Sequence, residues 1–216
     1  PATFENARTR LLTINPDVRA GWWPLLPKSI WISGFSDTQE LEELRAQVER
    51  LSCPVLLDLE LPVLRKRLFL KNLGAVRQNT RRIKNLLAQL GDRAYTAEYP
   101  PGIMPDWLMR ACGIQYPGSH TRIFMLYSSF SAYGRLHAAA LCRARKRLET
   151  TRPSCWLGLG TLASGQLGDE PMLSSEAFTE DVAFAQSIGV TDIVVFRLAG
   201  LTTRYTSVIN GTNENP

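Results

Sequence analysis

The strict alternation of short apolar runs with longer amphipathic ones constrains this 216-residue chain more than any other feature. Strand-type runs stand at Val18–Trp23, Ile30–Phe35, Pro54–Pro62, Ala94–Tyr99, Arg122–Ser129, Cys155–Gly160 and Asp192–Leu198. Helix-type spacing fills most of the intervals. Leu41, Leu44 and Val48 form one stripe in Thr38–Leu51, and further helices are expected over Val63–Leu90, Pro105–Cys112, Tyr133–Glu149 and Ser174–Gly189. A weaker helical pattern covers residues 1–14. Strands separated by helical crossovers pair most economically in parallel.

Two α/β architectures satisfy that pattern, a (β/α) TIM-type barrel and an open doubly wound parallel sheet. No GxGxxG turn opens the first helix, which weighs against a dinucleotide-binding Rossmann sheet. Polar residues recur at the C-terminal ends of successive strands, as when every loop serves one central mouth. The barrel is therefore expected, as a single domain over residues 1–216. It would be small or incomplete, with one unit reduced or missing.

The net charge of +5 comes from 25 basic and 20 acidic residues. The basic side chains cluster at Arg65-Lys66-Arg67, Arg81-Arg82-Lys84 and Arg143-Arg145-Lys146-Arg147, all in helix-type stretches. No aromatic residues interleave with them, so they read as solvated helix faces and no nucleic-acid partner is expected. No apolar run approaches the roughly 20 residues of a membrane span. The chain starts at Pro1, and localisation stays open. Cys53, Cys112, Cys142 and Cys155 form no CxxC pair and read as small buried residues, with a disulfide left open.

Candidate chemistry centres on Pro54-Val55-Leu56-Leu57-Asp58-Leu59-Glu60-Leu61-Pro62, an apolar strand that ends on two carboxylates. Side chains two apart on a strand share a face, so Asp58 and Glu60 point the same way. Two acids there are costly to desolvate, which proteins tolerate most often in a site. Glu98 ends the next strand, and strands lie about 4.8 Å apart. Glu60 and Glu98 are therefore expected about 5 Å apart, the separation at which one carboxylate acts as nucleophile while the other protonates a glycosidic oxygen. Trp22, Trp23 and Tyr127 offer flat apolar surface for a sugar ring. Ser128 adds a hydroxyl at the same set of strand ends, and Arg197 a cation that pairs with Glu60 or clamps an anion.

The Asp58-Leu59-Glu60 step on a strand led by aliphatics resembles the acid-bearing strand of glycoside-hydrolase barrels. It is similar to the last two acids of the chitinase-type DxDxE strand and to the DxE of lysozyme-like muramidase barrels. Leu56 stands where the chitinase pattern has its first Asp. Trp156 to Leu198 also looks like the closing part of such barrels. The resemblance implies Glu60 as proton donor and Asp58 as the residue that orients or charges it.

Other chemistries fit less well. His120 and His137 are too few for a three-histidine zinc site, and no lysine ends a strand to form a Schiff base. The expected function is a carbohydrate-processing hydrolase with Glu60, Asp58 and Glu98 as catalytic residues. Trp22, Trp23, Tyr127, Ser128 and Arg197 would bind the substrate, and no cofactor is expected. One alternative is a non-catalytic barrel that binds a ligand or partner. Another is a magnesium-dependent enzyme acting on a phosphorylated small molecule, its metal held by the three acids.

Overall fold

The computed structural model describes residues 2–17, 19–63, 65–163, 171–196, 200 and 202–209. Among them the order is α1 (Ala2–Ile14), α2 (Thr38–Val48), β1 (Val55–Asp58), α3 (Lys66–Asn72), α4 (Val76–Leu90), β2 (Ala94–Glu98), α5 (Asp106–Ala111), β3 (Thr121–Leu126), α6 (Arg135–Thr151), β4 (Trp156–Thr161), α7 (Ser175–Ser187), β5 (Ile193–Phe196) and α8 (Thr203–Ile209). The fold is α/β, and its five-stranded parallel sheet has the sequential order β1-β2-β3-β4-β5. A doubly wound sheet reverses its strand order at a switch point, and this one does not. A closed barrel of this kind uses eight strands, three more than are described. Contacts divide the chain into two compact units, residues 1–98 with 107–121, and residues 99–106 with 122–216.

In the first unit, β1 and β2 run parallel, with Val55 opposite Ala94 and Asp58 opposite Ala97. Val55, Leu57, Leu59 and Ala94 are 0% exposed. Helices α2 and α4 pack together. Leu41, Leu44 and Val48 on α2 are buried, as are Ile83, Leu86, Leu87 and Leu90 on α4. Each such side chain stabilises the fold by roughly 1.5–3 kcal/mol before entropy is counted. The Asp37 carboxylate caps α2 by accepting from the N–H groups of Gln39 and Glu40. Gly91, at φ 55°, closes α4.

Two elements differ from expectation. The helix expected over 63–90 is divided into α3, a 3-10 turn at Leu73–Ala75, and α4. Gly74 lies in that turn, where a glycine costs about 1 kcal/mol of helix propensity. The side-chain amide of Asn72, at the end of α3, donates to Phe35 O. The expected strand Ile30–Phe35 contributes one bridge beside β1, Ile32 to Leu59, while Ile30 bridges back to Leu26. Its backbone is claimed by side chains instead: Ser33 N donates to Ser36 Oγ, and Phe35 N to Ser33 Oγ. Asn79, fully buried on α4, donates to the carbonyls of Gly34 and Ser36 and accepts from Thr38 Oγ1. Gly34 N donates to Cys112 O. Close by, Gly113 adopts φ +66°, and a Cβ there would lie 2.7 Å from Thr80 Oγ1 and 2.9 Å from Gly34 N. Only glycine fits. The run Val18–Trp23 likewise contributes one bridge, Trp22 to Val55, and Val18 lies outside the described residues.

In the second unit, β3, β4 and β5 pair in parallel. Phe124, Leu126, Leu157 and Leu159 from β3 and β4 form a core with Ala144 and Leu148 of α6 and Phe178, Val182 and Ala185 of α7. Tyr205 on α8 meets Phe178 edge-on at 5.6 Å and donates to Leu173 O. The four cysteines are free thiols. Cys53 is buried, Cys112 and Cys155 are half-buried, and Cys142 is exposed on α6, contrary to the expectation that all four would be buried. Position 142 is off the helix stripe formed by Ala144 and Leu148. Among the described residues, no helix is long and apolar enough to cross a membrane.

Candidate acid–base site

The backbone around Asp58 is pinned from both sides. Ile32 N donates to Asp58 O at 2.8 Å, and Leu59 N donates to Ala97 O at 2.8 Å. One step earlier, Trp22 N donates to Pro54 O and Leu56 N to Trp22 O, which brings Trp22 and Trp23 alongside the strand. Asp58 is 5% exposed, whereas Glu60 and Trp23 are half-buried. Glu60 lies close enough to Asp58 to act on its titration, and Asp58 Oδ1 is buried without a hydrogen-bond partner among the described residues.

That environment pushes the Asp58 pKa well above the usual carboxylate range. Burial is the largest cause, followed by the charge of Glu60 and the hydrogen bond to it. The neighbouring Trp23 opposes the rise. A raised pKa favours the protonated form of Asp58.

A raised folded-state pKa means the native state binds the Asp58 proton more tightly than the unfolded chain does. Its contribution to stability is complete below the unfolded pKa near 3.8 and is lost as pH rises through the folded value. Asp58→Asn should thus flatten the fall in stability with rising pH and make the chain more stable than wild type at pH 8. Urea unfolding of both proteins at pH 5 and pH 8 measures this. Parallel pH slopes would show that Asp58 titrates normally.

Glu98 has other neighbours. Residues paired across parallel strands point to the same face, and Leu57 pairs with Thr96 while Asp58 pairs with Ala97. Glu98, two residues from Thr96, leaves the sheet on the face opposite Asp58. Thr96 Oγ1 donates to Glu98 Oε1 at 2.9 Å, and His120 Nε2 lies 3.7 Å from the same oxygen. The Glu98 and His120 side chains are 0% and 6% exposed. Tyr116 donates to Thr80 O, and its pKa is raised by burial and by the charge of Glu98. Strand spacing alone suggested Glu98 as a partner for Glu60. Register separates it from Asp58, because a one-residue phase difference reverses the face.

The remaining predicted residues lie in the second unit. Tyr127 meets Phe130 edge-on at 5.4 Å. Ser128 donates to Asp181 Oδ2 at 2.5 Å. Arg197 lies outside the described residues. Asp181 and Arg145, which join Ser128, were not singled out from the sequence. The signal for Asp181 is a carboxylate within the apolar stripe Phe178, Val182, Ala185 of α7. Arg145 was counted among a solvated basic run, whose Arg143, Lys146 and Arg147 are exposed.

Among the described residues, no three His, Cys, Asp or Glu side chains come together as a metal site. No family model matches the chain, and no curated protein matches it in sequence.

Proposed function

We propose that the chain is a hydrolase of glycosidic bonds, built on an incomplete (β/α) barrel, in which Asp58 and Glu60 act as one acid–base unit. The observation that carries this reading is the buried Asp58 carboxyl, 5% exposed, beside Glu60, where burial and the Glu60 charge raise its pKa. Like-charged acids side by side raise the pKa of one of them, and a carboxyl with a raised pKa suits general acid catalysis. Glu60, the more exposed member, reaches the substrate. The proton passes from the pair to the leaving oxygen as the glycosidic bond breaks. Water then adds to the anomeric carbon and returns a proton to the pair, so the cycle closes.

The test is the pH dependence of kcat/KM for full-length protein on a panel of aryl glycosides and oligosaccharides. Asp58→Asn removes the like-charge repulsion that raises the pair's pKa. The alkaline limb, where the acid loses its proton, should therefore move to lower pH. Failure of the wild-type chain to cleave any member of the panel refutes the carbohydrate reading. An alkaline limb that stays in place in the variant refutes the acid–base unit.

A further inference from the structure

The second unit contains a cavity of about 330 Å³ lined in part by Ser128, Ser129, Arg145, Ser174, Glu180 and Asp181. This is within the size range of small-molecule sites, at its lower end. Its floor is a built polar arrangement. Asp181, 0% exposed, accepts from Ser128 Oγ through Oδ2 and pairs with Arg145 through Oδ1. Arg145 is also held flat over the Phe184 ring, 4.9 Å from its centroid. Ser129 is 8% exposed, and its buried hydroxyl oxygen has no hydrogen-bond partner among the described residues. A buried hydroxyl without a partner is unfavourable, and a residue lining a cavity gains that partner when a ligand supplies it.

The charges select the class of ligand. Arg145 offsets Asp181, and Glu180 leaves one further negative charge in the wall. An anion would meet two carboxylates, and a cation would meet the guanidinium. Ser128 Oγ, which donates to Asp181, can still accept, and Ser174 Oγ, which accepts from Ala177 N, can still donate. Ser129 Oγ has no partner among the described residues. This mixed set suits a neutral molecule rich in hydroxyl groups. We infer that this cavity is a binding site for a neutral polyhydroxylated ring of monosaccharide size. The inference rests on the second unit alone and stands apart from the Asp58–Glu60 chemistry.

Isothermal titration of the full chain with D-glucose, N-acetyl-D-glucosamine and myo-inositol tests it, with D-glucuronate and D-glucosamine as charged counterparts. At least one neutral ring should bind saturably, about tenfold more tightly than its charged counterpart where one is in the set. Ser129→Ala should weaken that binding about tenfold while leaving the melting temperature unchanged or higher, because it removes a hydroxyl that the free protein leaves unpartnered. A merely structural Ser129 would instead give a lower melting temperature with unaltered binding, which overturns the inference. Absence of saturable binding by all three neutral rings overturns it equally, as does equal or tighter binding of glucuronate or glucosamine.

Discussion

Glu60→Gln is expected to lower kcat on any glycoside the wild-type chain cleaves by a factor of about 10²–10⁴, the usual contribution of a general acid–base group. The amide matches the carboxylate in shape, but it cannot pass a proton to the leaving oxygen. The fold should be preserved, since Glu60 is half-buried and removing its charge relieves repulsion on Asp58. The decisive measurement is the split between kcat and KM. A large fall in kcat with KM little changed marks a role in bond breaking, whereas a rise in KM alone would reduce Glu60 to a binding residue. Substrates with good leaving groups need less protonation, so an aryl glycoside with an acidic phenol should lose less rate than an oligosaccharide.

Arg145→Met should cost about 3 kcal/mol of stability. Methionine preserves the apolar stem that lies over Phe184 but leaves the Asp181 carboxylate, 0% exposed, with Ser128 as its remaining partner in this cluster. For a chain of this length that loss lowers the melting temperature by roughly 9 °C. Burial already raises the Asp181 pKa, and Ser128 and Arg145 hold it down. Without Arg145 the pKa rises further, so the deficit is expected to grow as pH increases through that raised value and to shrink in acid. Adding Asp181→Asn to Arg145→Met should restore most of the loss, since the double variant buries no unpaired charge. Urea unfolding of the two single variants, the double variant and wild type at pH 5 and pH 8 completes the cycle. A loss below about 1 kcal/mol would place the pair among solvent-screened surface ion pairs.

The alternation of strands and helices was legible in the chain, and so was the shared face of Asp58 and Glu60, because both depend on spacing along one segment. What depended on two segments was less legible. The face of Glu98 follows from the register of β1 on β2, which neither strand encodes alone. The Ile30–Phe35 run is apolar enough for a strand, yet Ser33 and Ser36 turn its backbone hydrogen bonds inward. Arg145 looked like its exposed neighbours until a carboxylate on another helix gave it a partner. Gly74 was visible but outweighed by the leucines on either side of it.

The two isolated bridges on β1 have a consequence for self-association. β1 is the first strand in the sheet order, so its outer side would offer unpaired N–H and C=O groups to any passing strand. Trp22 accepts from Leu56 N and donates to Pro54 O, and Ile32 donates to Asp58 O. The stretch between them, Leu26 to Ile30, folds back on itself instead of continuing the ladder. The polypeptide thus covers the edge at two points without becoming a new strand, so it does not present a fresh edge of its own. An irregular segment that seemed a failed strand serves as the chain's own guard against aggregation.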